Sequence, residues 1–254
     1  MSEIEILEES IEKIAKIAKG FGLDFFPVRF EICPADIIYT FGAYGMPTRF
    51  SHWSFGKAFY RMKMQYDYNL SRIYELVINS NPCYAFLLEG NSLVQNKMVI
   101  AHVFAHCDFF KNNATFRNTS RAMVDQMANS AQRIREMEFE YGRFEVEKII
   151  DAAISIQEHV DSRGEIGKAK KGPDGKPRKK LGKPQTPYDD LFALDEPPAE
   201  PEITEERPKP SKDLLLYIME HGKNLKDWQR EIIGTIRTEM LYFYPQMETK
   251  IMNE

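Results

Sequence analysis

The sequence predicts an α+β fold in which helices predominate. Three observations carry that reading: apolar residues recur at three- and four-residue steps over most of the chain, two β-branched and aromatic runs flank Asn81-Pro82, and one long tract is too polar to join a core. At 254 residues the chain can form one large domain, or a domain with an appendage. A formal charge of -4 gives no general attraction to nucleic acid or anionic lipid, so any basic patch is local. Three cysteines, Cys33, Cys83 and Cys107, are too few and too scattered for a disulfide framework and point to a reducing compartment, the cytoplasm. The opening residues are charged and amphipathic, and no stretch approaches the roughly 18 apolar residues of a membrane span.

Taken in order, Ile4, Leu7, Ile11, Ile14 and Ile17 mark an opening helix that Gly20 and Gly22 stop. Val28 to Pro34 reads as a strand, and ADIIYTFGAYG after it as a helix ending at Gly42 or Gly45. Trp53 to Tyr68 carries aromatic and Met residues at helical spacing. IYELVINS and CYAFLLEG then predict a small antiparallel hairpin about Asn81-Pro82. From Val94 to Phe110 the chain is apolar on nearly all sides, which predicts a buried helix packed beside the hairpin, and this helix bears His102 and His106. Met123, Met127, Ile134, Met137, Tyr141 and Phe144 form one stripe on a long helix spanning 119–161, capped by Asn118 or Thr119 and ended by Gly164.

Composition then changes. Arg163 to Lys183 is rich in Lys and Gly, Gln185 to Glu206 is acidic, and nine of the fourteen prolines fall between Pro173 and Pro210. This predicts three parts: a core at 1–162, a flexible charged Pro-rich linker or insertion at 163–210, and C-terminal helices at 211–254 that pack on the core. Ser211 caps the first of those helices, and Asn224 caps a second that runs through Trp228, Ile232, Ile236 and Leu241 to Pro245.

Chemistry concentrates in AHVFAHCDFF. His102 and His106 are four residues apart, so both imidazoles leave one helix face within reach of one ion. An imidazole in apolar surroundings needs a partner for each nitrogen, and a metal with an outer acceptor supplies both. Asp108 is a further ligand or an orienting carboxylate. The competing reading is two core histidines bonded to backbone or carboxylates. Zinc proteases of the HExxH type place Glu directly after the first His as general base, and Val103 stands there instead, which disfavours that mechanism. A base from elsewhere would be Glu31, Glu75, Glu89, Glu138 or Glu145, of which Glu31, Glu75 and Glu89 are also cleft candidates, although each such residue is more often a solvated or salt-bridged carboxylate. RFSHWSFGK packs Arg49, His52, Trp53 and Lys57 into one short segment, either as a cleft wall or as a helix start capped by Ser51. Glu158-His159 reads as solvent-facing, and Cys107 as structural, since neighbouring helix residues diverge. KAKKGPDGKPRKK adjoins an acidic tract and lacks interleaved aromatics, so nucleic-acid binding is not expected.

Three strings go further: RFEICPADIIYTFGAYGMPTRFSHWSFGK, SRIYELVINSNPCYAFLLEGNSLVQNKMVIAHVFAHCDFFKNN and YFYPQMETKIMNE. They closely resemble the SpoVR (stage V sporulation protein R) family, over most of Gly22 to Ser162 and again from Ser211 to Glu254. The resemblance implies a cytoplasmic bacterial protein associated with spore-cortex formation, found also in bacteria that do not sporulate. It supplies no biochemical activity. It also implies a chain truncated at Glu254, because family members continue with Gly-Trp-Ala and a nearby histidine. Set against the His102 and His106 helix, Glu254 and that later histidine would complete a nitrogen and oxygen ligand set suited to zinc or non-haem iron. Three functions follow as expectations: a metal-dependent enzyme, such as a hydrolase of peptide or cell-wall precursors; a non-catalytic sporulation or stress-response protein that binds protein partners; and an oxidative iron enzyme. The substrate, small molecule or peptide, is not legible, and no membrane association is expected.

Overall fold

The computed structural model describes residues 3–161 and 212–253. The chain separates into two units, Met1–Val160 with Asp213–Glu254, and Asp161–Lys212. The second lies almost wholly outside the described residues, as does the predicted 163–210 linker, and every element below belongs to the first.

Helix α1 (Glu3–Gly20) leads to strand β1 (Val28–Cys33), then helices α2 (Ala35–Tyr44) and α3 (Trp53–Asp67). Strands β2 (Glu75–Ile78) and β3 (Cys83–Leu88) follow, joined through a cis Asn81-Pro82 bond, and lead to helix α4 (Leu93–Asn112). A short 3-10 turn at Ala114–Phe116 precedes α5 (Met123–Tyr141) and α6 (Arg143–Ser155), and α7 (Leu214–His221), α8 (Asp227–Glu248) and α9 (Lys250–Asn253) complete the described chain. The architecture is α+β and predominantly helical, with 66% of the described residues in helix and a small three-stranded sheet.

The predicted hairpin exists, but β3 is its inner strand. β2 pairs with it antiparallel and β1 pairs with it in parallel, in the order β1-β3-β2. The pairing of β1 has no local signal, because a parallel partner needs a crossover and nothing nearby in the chain marks its register. Alternation along β3 divides the core. Cys83, Ala85 and Leu87 face α1 and α4, packing on Ile100, Val103, Phe104 and Cys107. Phe86 and Leu88 face the other way, onto Ile38, Met123, Met127 and Tyr242. A separate apolar cluster joins α5, α6, α7 and α8 through Ile134, Val146, Ile150, Leu215, Ile232 and Ile236. Burying each such Leu or Ile contributes about 1.5–3 kcal/mol, so both sheet faces and the helical cluster are substantial sources of stability.

Several expectations need correction. The long helix over 119–161 is two helices, because Gly142 adopts φ +89 and interrupts the hydrogen-bond ladder between α5 and α6. The break rotates the stripe: Met123 to Met137 stay buried, whereas Tyr141 and Phe144 are exposed. Helix α4 is not buried all round. Ser92 and Gln95 form its capping box, and its inner face packs on the sheet, but Val94 and Met98 are 68% and 71% exposed. Apolar composition alone cannot distinguish a helix covered on two sides from one covered on every side. Asp213, not Ser211, caps α7, accepting from Leu216 N at 2.9 Å. Helix α8 starts after Lys226 and continues past Pro245 to Glu248.

Candidate metal centre

Glu75 sits at the start of β2, opposite Leu87, so the pleat turns its side chain toward the sheet face that α4 covers. β2 is an edge strand, and the carboxylate reaches past its rim to the helix. There it meets His102, whose Nε2 is 3.7 Å from Glu75 Oε1. One turn on, His106 stands edge-on to His102 with ring centroids 4.1 Å apart. One ligand atom from each of Glu75, His102 and His106 lies within 4.8 Å of the others.

The surroundings differ from those expected for buried histidines. The His102 side chain is 44% exposed and that of Glu75 20%. Partial burial raises the Glu75 carboxyl above its ordinary range, against the opposing pull of His102. A half-desolvated carboxylate beside two imidazoles is a place where a cation would relieve an existing cost. His106 Nδ1 is 3.0 Å from Asn253 Oδ1 on α9. With that amide oxygen as acceptor, Nδ1 carries the proton and Nε2 the lone pair, the orientation that an outer acceptor imposes on a metal-binding histidine.

The donor set fits a divalent ion. Two imidazoles and a carboxylate match a catalytic zinc site with an open fourth position, and equally the two-histidine, one-carboxylate face of non-haem iron. Donors about 2.0–2.2 Å from one ion lie roughly 3.3 Å apart in a tetrahedron, so side-chain rotation closes the cluster by at most about 1.5 Å.

The other sequence candidates are dispersed. Asp108 accepts from Asp24 N at 2.7 Å and from Asn112 Nδ2 at 2.9 Å, tying α4 to the segment before β1 rather than joining the histidines. Glu31, Glu89 and Glu145 are exposed on other elements, Glu138 is half-buried on α5, and Glu254 lies outside the described residues. Arg49 is buried against Glu239, with Nε 2.6 Å from Oε2 and its guanidinium 4.3 Å from the Phe55 ring centroid. His52 and Trp53 both bond Asp151, and Lys57 is exposed on α3. Arg49, His52 and Trp53 therefore join helices, away from the Glu75 group. The sequence offers Glu75 as a base or a cleft residue and not as a ligand; its direction toward the histidines follows from its place opposite Leu87. Nothing local signals Asp151 or Asn253, which reach their partners across 99 and 147 residues.

The fold and this cluster define a helix-dominated α+β protein with a candidate His-His-Glu centre. The family model described as SpoVR like protein matches residues 2–254, and the chain belongs to that family. It is 34% identical over 261 residues to the "Uncharacterized protein YcgB" of Escherichia coli (strain K12), across 98% of this chain and 51% of that protein. The chain thus spans about half the length of this relative. No solved structure matches it significantly.

Proposed function

We propose that Glu75, His102 and His106 bind a divalent metal, zinc or non-haem iron, and that the protein is a metal-dependent enzyme of the SpoVR-like family. The observation that carries this reading is the convergence of three ligand atoms from an edge strand and one helix face within 4.8 Å. A bound zinc would supply a Lewis acid and an activated water near neutral pH, the chemistry of a hydrolase acting on peptides or cell-wall precursors; iron would supply oxidative chemistry. The residues of this chain have separate tasks. Glu75 brings the negative charge, His102 and His106 bring neutral nitrogen donors, and Asn253 orients the His106 ring. The family resemblance supports a cytoplasmic role in spore-cortex formation where spores are made. Among the described residues no helix is long and apolar enough to cross a membrane.

A second reading, a non-catalytic sporulation or stress-response protein with protein partners, rests on the exposed Val94 and Met98, which share α4 with His102. Elemental analysis separates the two. Full-length natural protein purified without a histidine tag should carry about one metal ion per chain, and the His102→Ala, His106→Ala variant should carry none. Zinc at that ratio favours hydrolysis and iron favours oxidation. Well-folded protein without metal would overturn the enzyme reading and leave the interaction protein.

A further inference from the structure

The segment that begins α3 carries a second set of reactive groups, sharing no residue with the Glu75 cluster. His52 is buried, its side chain 1% exposed, and both ring nitrogens are engaged. Nδ1 lies 2.7 Å from Ser54 Oγ, and Nε2 lies 3.0 Å from Asp151 Oδ1 on α6. A carboxylate can only accept, so Nε2 carries the proton and Nδ1 offers its lone pair to the Ser54 hydroxyl. The same Asp151 oxygen accepts from Trp53 Nε1 at 2.7 Å, which holds the carboxylate in place.

Capping explains only part of this. As the residue before α3, His52 can satisfy the Ser54 backbone N–H, but that contact is long at 3.4 Å. The shorter bond is to the hydroxyl, and a helix start does not require a buried imidazole aligned by a carboxylate behind it. Ser54 is placed to use that alignment. It lines a groove of about 440 Å³ with Lys57, Ala58, Arg61, Met62 and Gln65, and it is half-buried where His52 is buried. Lys63 of the same helix is ion-paired to Asp36 and Asp67, whereas Lys57 and Arg61 have no carboxylate partner among the described residues.

The geometry points to a nucleophilic serine site: Ser54 the nucleophile, His52 its general base and Asp151 a positioning residue, acting on an ester or thioester that carries a negative charge. In the first half-reaction the Ser54 Oγ–carbon bond forms as the hydroxyl proton passes to His52 Nδ1, and the ester bond breaks as that proton passes to the leaving oxygen or sulfur. Water then repeats the transfer, its proton going to His52 and back to Ser54 as the acid is released. Negative charge developing on the carbonyl oxygen would lie near the positive end of the 15-residue α3. Lys57 and Arg61, roughly one and two turns along, hold the anionic end of the substrate.

A fluorophosphonate probe tests the assignment on the intact protein, since attack by Ser54 forms an oxygen–phosphorus bond and expels fluoride. Mass spectrometry should place one adduct on Ser54, unaffected by a metal chelator and absent from Ser54→Ala. Asp151→Asn, at a half-exposed position, should keep the melting temperature within a few degrees yet slow labelling by about 100-fold. With mono-4-nitrophenyl succinate as an anionic ester, a Lys57→Ala, Arg61→Ala variant should raise KM about tenfold at unchanged kcat. Folded wild-type protein that acquires no adduct at Ser54, or an Asp151→Asn variant labelled at the wild-type rate, overturns the nucleophile. An unchanged KM overturns the anionic substrate. The chelator arm keeps either failure distinct from failure of the metal centre.

Discussion

His52 and the pair His102 and His106 show the same side chain in opposite settings. His52 is buried with Asp151 and Ser54 at its two nitrogens, and it lies among the side chains that join the start of α3 to α6, next to the Arg49–Glu239 pair that fastens the same region to α8. His102 is nearly half exposed, and its carboxylate neighbour stands off at 3.7 Å. Removing a buried, bonded group strands its partners without water, whereas an exposed group is replaced by solvent at little cost. The first setting therefore adds to the contacts that hold α3 against α6, while the second stands open to a ligand from solvent.

That contrast can be broken experimentally. The largest effect belongs to Arg49→Ala, which leaves Glu239 buried without its cation and should cost about 3 kcal/mol in urea unfolding. A value below about 1 kcal/mol would mean the pair is dispensable. His52→Ala removes a buried ring packed against Phe55 and leaves a cavity behind, and should cost about 2 kcal/mol by the same measurement. Glu239 sharpens the comparison through pH. Burial holds its carboxyl above the ordinary 4.5 although Arg49 pulls it down. A carboxyl raised in the folded state favours folding when protonated: its contribution is complete below 4.5 and is lost as pH rises through the folded value. Glu239→Gln should flatten that part of the stability curve, and an unaltered slope would show that Glu239 titrates normally. The smallest effect is expected at the other histidines. With metal removed, His102→Ala should unfold within about 0.5 kcal/mol of wild type. With metal at 100 times its Kd, the wild type alone should gain about 2.7 kcal/mol.

The elements were legible wherever a single periodicity ran its course. α1 to α4 and both hairpin strands begin and end near the predicted residues, because capping, turn chemistry and apolar spacing act within a few positions. The long helix was misread at Gly142, since glycine inside a periodic stripe is compatible with continuation or with a break, and only the backbone angle decides between them. The metal candidate was half legible. His102 and His106 share a helix face by spacing alone, but pairing Glu75 with them required the register of β2 on β3. Burial of the histidines was inferred from apolar neighbours in sequence, and their exposure follows from how many sides of α4 the sheet and α1 cover.

By itself the sequence determined a helix-dominated chain of the SpoVR-like family, the His-x-x-x-His spacing and the absence of an HExxH glutamate. These are properties of composition and of separations of a few residues. Tertiary structure alone decided which carboxylate meets the histidines, that Asp151 rather than a near neighbour completes the His52 arrangement, and that Arg49 pairs with Glu239. Those contacts join residues far apart in the chain, and their partners are chosen by strand register and helix packing, which no local pattern encodes.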